Sequence, residues 1–382
     1  MNSPNTAEWF VSPWVLLVIA VVAVAAGRVL TWGVSRLVAP ERVDSRLSRS
    51  VEVVVVVAGM ALWWWEVMLR AQVPTGISTV LAAELATRCA AHAILFLFLA
   101  AAAWVDLRHR VIPDAITVPG VLAGLVWNTV FPFTLLPIAT LVERSFAPPE
   151  VRSDVLSIAG GLAGSGLPGW FSSLSGLAVA ALLLAVWWWV GTSPDDGQSS
   201  PARVWWMPGS RLLAAISGLG CLVAAWIAGG DHWAGFVTAI VGLAASGGLV
   251  WATRTGASWA LGREAMGFGD VTLMAMAGTW LGWQACLVAC VLAVFIGLVH
   301  GVSQLVVRSE SELPFGPSLC LGLVTVVVAW RPLWDLASPQ FEQPHELAIV
   351  AGLVIVLTAV TLWAWARFRG PGGAHEDPVL PR

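Results

Sequence analysis

The stretch Glu264-Ala265-Met266-Gly267-Phe268-Gly269-Asp270-Val271-Thr272-Leu273-Met274-Ala275 sets one acid, Asp270, between a pair of glycines and a long apolar run. An acid at the edge of hydrocarbon-seeking sequence is costly and reads as functional by default. A second acid stands in a similar place, Asp106, in Asp106-Leu107-Arg108-His109-Arg110-Val111-Ile112-Pro113-Asp114. Two carboxylates at the ends of two apolar segments suggest an acid–base pair. Composition sets the medium they work in. Of 382 residues, 58% are hydrophobic and 11% charged, with a mean hydropathy of +0.81. A soluble domain carries about a quarter charged residues. The fold class is therefore all-α, a polytopic bundle in the lipid bilayer, and nothing suggests a nucleic-acid partner.

All 20 basic residues are Arg, Tyr is absent, and 24 Trp stand in for it at the interfaces. The five cysteines (Cys89, Cys221, Cys286, Cys290 and Cys320) form no CxxC pair. Neither a zinc site nor a redox dithiol is indicated, and no metal or cofactor is expected. Cys286 and Cys290 share a helix face and read as small core residues.

A bilayer span takes about 20 mainly apolar residues, and on that rule the chain offers about eleven. They run near 11–26, 51–69, 80–105, 115–141, 171–190, 212–228, 233–253, 271–281, 285–307, 315–329 and 347–366. The first reads as a retained span, because no basic run precedes it and no small-residue cleavage site follows. The densest basic loop, with Arg28, Arg36, Arg42, Arg46 and Arg49, orients the chain with that loop in the cytoplasm. Counting crossings from it puts Asp106 and Asp270 on the same, cytoplasmic face. A hairpin turned at Gly229-Gly230-Asp231 joins the sixth and seventh spans.

If the two acids meet in a poorly solvated site, they cannot both ionise cheaply, so the pair holds one proton. The ionised member can then deprotonate a water while the protonated member hydrogen-bonds a scissile carbonyl, as in aspartyl proteases. Gly267 and Gly269, lacking Cβ atoms, would let a substrate backbone come close. Ala275, Ala277 and Gly278 favour close packing on a neighbouring helix. The competing reading makes each Asp a helix cap or the partner of Arg108 or Arg263. Glu84 and Arg88, at i, i+4, read as an ion pair, and Glu66, His92 and His300 as structural. His109 is the histidine nearest the chemistry.

Asp106 to Asp114 resembles the DxxxxxIPD motif of type IV prepilin peptidases. Met266 to Trp283 is similar to that family's GxGDxKL…GxxLGW block, and Leu313-Pro314-Phe315-Gly316-Pro317 resembles its PFGP element. The resemblance covers roughly residues 93–330, with extra sequence near 142–210. It implies that Asp106 and Asp270 are catalytic. It also implies that Pro113, Asp114, Gly267, Gly269, Pro314, Gly316 and Pro317 shape the site or bind substrate, with Asp114 capping the next helix. The implied partner is a prepilin or pseudopilin, whose short basic leader is cut at the cytoplasmic face of a bacterial inner membrane. Thr272 stands where the family usually has Lys. The cysteine-bearing domain of the methylating members has no counterpart here, so methyltransferase activity is not expected. On this reading residues 1–90 are a transmembrane extension, 91–335 the catalytic membrane domain, and 336–382 a last span and cytoplasmic tail. Two alternatives stay open: a GxGD intramembrane protease, though its YD motif is impossible without Tyr, and a non-catalytic transport or assembly protein. The oligomeric state is not legible.

Overall fold

The computed structural model describes residues 13–37, 45–73, 82–136, 138–139, 151–152, 169–192, 208–262, 264, 266–308 and 315–341, with single positions beyond. Its helices, in chain order, are α1 Pro13–Leu37, α2 Ser45–Trp63, α3 Ala82–His109, α4 Asp114–Val130 and α5 Leu174–Thr192. They continue as α6 Pro208–Ala228, α7 Gly230–Leu261, α8 Phe268–Arg308, α9 Gly316–Val328 and α10 Trp330–Phe341. α2 runs on into a π-helical turn, Trp64–Met68. The described strand structure is a two-residue antiparallel pairing, Ile138–Ala139 with Val151–Arg152.

Six helices among the described residues are long and apolar enough to cross a membrane, or seven if the bent pair α9–α10 is one span. The expected count of about eleven is not reached among the described residues, where Phe268–Val299 is counted once, and the reasons are local. Leu17–Gly33 and Asp114–Val130 are apolar but short. The expected fourth span stops at Val130 because Phe131 precedes Pro132, which disfavours a helical conformation there. α9 and α10 meet at 97°, a bend that hydropathy cannot register. The expected eleventh span lies outside the described helices.

The expected eighth and ninth spans form one helical stretch, α8, broken at Gly282 (φ 78°, ψ 172°). The contacts on either side show that the chain reverses there. A straight helix would carry Gly297 about 40 Å from Asp270. Yet Gly297 packs against the ring of Phe315, and the next residue, Gly316, lies on the carboxylate of Asp106, which is within Coulombic reach of Asp270. Ser246 likewise touches Gly278 on one arm and lies beside Cys286 on the other. Only glycine adopts those angles readily.

The first arm of α8 is the centre of the core. Gly242 of α7 and Gly278 of α8 meet backbone to backbone, each occupying the space a Cβ on the other would need, and Gly247 sits on Ala275. Such small-residue contacts let helices approach closely in lipid. Against α4, Gly120 accommodates Met276 and Gly124 accommodates Thr279. Trp280 Nε1 donates to Gly120 O at 3.0 Å and Asn128 Nδ2 to Thr279 O at 2.7 Å. These bonds fix the arm along its length, with Asp270 at one end and Gly282 at the other.

Candidate active site

α3 ends just after Asp106. Arg110 takes a left-handed conformation (φ 55°), and its N–H bonds Asp106 O at 2.8 Å, which closes the helix. Val111 and Ile112 then run to Pro113 (φ −78°, ψ 141°), the N-cap of α4. Asp114 is therefore the first helical residue rather than the cap expected of it. There its charge complements the helix dipole. The Ile-Pro-Asp element is a short strap holding the ends of α3 and α4 together.

The GxGD turn packs on that strap. A Cβ on Gly269 would come within 2.8 Å of Ile112 Cβ, 3.1 Å of Ile112 N and 3.2 Å of Ile112 O. Gly269 thus serves a backbone-on-backbone contact, and no room is left there for a substrate strand, contrary to the sequence expectation. Gly267 differs: it is exposed, with open space where a Cβ would stand.

The third motif closes the site. The Gly316 amide hydrogen-bonds the Asp106 carboxylate, and a Cβ on Gly316 would collide with that carboxylate and lie 3.0 Å from Ile112 Cδ1. Pro317 occupies the first turn of α9, where its missing N–H costs nothing. Pro314 lies outside the described residues. Asp106 and Asp270 are 5% and 7% exposed, and Asp270 lies within reach of the Asp106 charge. One turn into α9, Cys320 lies within Coulombic reach of both acids and bonds the Ala103 backbone. Three segments far apart in sequence thus converge on one pair of buried acids at one end of the bundle.

Other expected residues fall elsewhere. Arg108 and His109 are exposed, and Arg263 lies outside the described residues. Thr272 is buried, its hydroxyl donating to Gly269 O at 3.0 Å, so it supplies a local bond where the family's Lys would supply a charge. Among the described residues no group of three His, Cys, Asp or Glu side chains is placed to hold a metal ion.

Sequence reasoning missed Arg254. From α7 its Nε donates to Met266 O at 2.9 Å, its Nη2 pairs with Glu264 at 2.8 Å, and its guanidinium lies 5.7 Å from the Phe268 ring centre. One side chain therefore holds the approach to Asp270 at three points. No motif marks it; only its position in the loop-proximal turn of a long helix could have drawn attention.

A family model, the type IV leader peptidase family, matches residues 93–146 and 155–302, more than half of the chain. The chain belongs to the type IV leader peptidase family. Its curated relatives include the prepilin leader peptidase/N-methyltransferase of Aeromonas salmonicida (strain A449), 33% identical over 86 residues, 22% of this chain and 30% of that protein. Proteins of the same name in Pseudomonas aeruginosa and Escherichia coli (strain K12) are 41% identical over 63 residues and 36% over 86. Those matches cover 16% and 22% of this chain, and 22% and 38% of the relatives. The chain thus spans about a third of the length of the curated relatives it matches. No solved structure matches it. With at least six helices long and apolar enough to cross a bilayer among the described residues, this member of the family is an integral membrane protein.

Proposed function

We propose that this chain is a membrane aspartyl endopeptidase that removes the short basic leader of prepilins or pseudopilins at the cytoplasmic face of a bacterial inner membrane. The observation that carries the reading is the convergence of Asp106, Asp270 and Gly316, from three family motifs, on one buried site. Its chemistry follows from the arrangement. Two acids this close and this buried hold one proton between them. The Gly316 amide and the N-terminal end of α9 put positive partial charge beside Asp106, which makes Asp106 the charged member and leaves the proton on Asp270.

Asp106 then takes a proton from a water as it attacks the scissile carbonyl, while Asp270 donates its proton to the carbonyl oxygen. Collapse of the tetrahedral intermediate returns a proton to the leaving amine. The open side of Gly267 is where an extended leader reaches the pair. A prepilin keeps its leader in the cytoplasm and its helix in the bilayer, so its cleavage point lies at the membrane edge, which is where an acid at the end of α3 belongs. Residues 1–90 act as an extension on this catalytic domain of residues 91–335. The activity proposed for this chain is the peptidase's alone, in line with the sequence expectation.

The test is co-expression with a prepilin from the same genome. A leader-length mass loss with wild type and none with Asp270→Asn supports the reading. No processing by either protein points to a scaffold or to another substrate class, and a methyl-mass gain on the product overturns the expectation of peptidase activity alone.

A further inference from the structure

At the far end of α3 from Asp106 lies a second buried polar cluster, which the chemistry above does not use. Glu66, in the π-helical turn after α2, is 2% exposed; Gln72 is 2%, and His92 and Arg88 on α3 are 1% and 2%. His92 Nδ1 is hydrogen-bonded to Glu66 Oε1 at 2.7 Å, and Gln72 Nε2 donates to the same oxygen at 3.0 Å. Arg88 lies within Coulombic reach of Glu66 and Glu84.

The cluster also reaches a third element. Gln72 Nε2 donates to Val327 O at 2.7 Å, and Trp65 Nε1 donates to Val328 O at 2.8 Å. These carbonyls belong to the last turn of α9, where the chain bends by 97° into α10. A helix end leaves its final carbonyls without intrahelical partners, and in a bilayer each unsatisfied group is costly. The segment after α2 is therefore the cap of α9 at this bend. Through Glu66 and His92, the same segment is bonded to α3.

The two helices joined here, α3 and α9, are the two that meet at the other end through Asp106 and Gly316. The separation is about 20 Å along each helix. We propose that Trp65, Glu66, Gln72 and His92 form a latch that sets the register of α9 against α3, and so positions Gly316 on Asp106. This inference rests on the peptidase reading for its effect on catalysis; the latch itself is a statement about two helices. These are positioning residues, not catalytic ones. Several of their polar atoms (Glu66 Oε2, Gln72 Oε1 and His92 Nε2) have no hydrogen-bond partner among the described residues. A cluster that leaves such atoms buried is a poor device for stability alone, whereas it specifies one relative placement of the helices it joins.

Cys320 makes the latch measurable without any substrate. It is 6% exposed on α9, bonds the Ala103 backbone of α3, and lies close to both acids. Its rate of alkylation by a maleimide reports the fit of α9 on α3 at the site. The experiment uses the full chain with Cys89, Cys221, Cys286 and Cys290 replaced by Ala, assayed for Cys320 labelling and for cleavage of a prepilin. Gln72→Leu and Glu66→Leu should speed labelling and lower kcat, each by about tenfold, the effect of one buried hydrogen bond, with KM changed much less. Glu66→Gln keeps an oxygen for His92 and Gln72 and should restore both readouts.

Unchanged labelling and unchanged kcat in Gln72→Leu would overturn the latch. If that variant does not accumulate as a folded protein, Trp65→Phe, which keeps an aromatic ring but removes the indole N–H at a partly exposed site, decides on the same two readouts. Absence of cleavage by the parent protein would sink the peptidase reading and leave the labelling rates to judge the latch on their own.

Discussion

The two ends of α3 bury acids in opposite ways. At one end, Glu66 is hydrogen-bonded by His92 and Gln72, with the Arg88 guanidinium in range. At the other, Asp106 faces a second acid and a backbone amide. A buried acid tied to polar groups on neighbouring segments fixes how those segments sit against one another. Two like groups set side by side make each other's ionisation costly, and proton transfer relieves that cost. The difference is what would let one helix carry the proposed latch at one end and the proposed reaction centre at the other.

The strongest way to break the comparison is to remove the acids. Asp106→Ala and Asp270→Ala should each reduce prepilin cleavage by about 10³-fold or more, as expected for a lost acid or base, with membrane insertion intact. Cleavage retained in either would show that the pair is not the reaction centre. Next in size is Gly316→Ala. Its Cβ would collide with the Asp106 carboxylate, and a small misplacement of a reacting group costs about a hundredfold in rate. Kinetics of purified protein would check it, and a near-normal rate would separate α9 from the chemistry.

Arg254→Gln comes third. It breaks the ion pair with Glu264 and weakens the hold on Met266. One hydrogen bond to a charged group contributes about 1.5–3 kcal/mol, so a fall of roughly tenfold in kcat is expected. Recovery of most of that loss in Arg254→Lys would mean that charge alone suffices. Gly282→Ala should leave the acids untouched and cost about 1–3 kcal/mol of stability, because the backbone there is open only to glycine. Thermal unfolding in detergent measures it. The smallest effect is assigned to Gly267→Ala, whose Cβ would point into open space. A change in KM confined to that variant would mark the path of the leader.

Much of the candidate site was legible because it is carried by local patterns. Asp106 with its Ile-Pro-Asp strap, Asp270 with its glycines, and Gly316 with Pro317 can each be read from a few consecutive residues. Counting apolar runs put both acids at the same end. The role of Gly269 was misread, because a glycine beside an acid looks the same whether its open face meets a substrate or Ile112. Arg254 was passed over because its partners are the backbone of Met266, an exposed Glu and a ring. Glu66 and His92 were read one at a time as structural residues. Nothing along the chain says that they bond each other, or that Gln72 reaches the end of a helix 255 positions away.

The sequence by itself determined an all-helical membrane protein, its family, and the acids that the proposed reaction needs, since hydropathy and short motifs act over neighbouring residues. Only the tertiary structure decided the rest. It reverses α8 at Gly282, turns α9 by 97°, lays Gly316 on Asp106, and ties the segment after α2 to the far end of the same two helices. Each of these depends on which surfaces meet across the bundle. Glycines and buried hydrogen bonds settle that through contacts between distant residues, and those contacts leave no periodic trace in the chain.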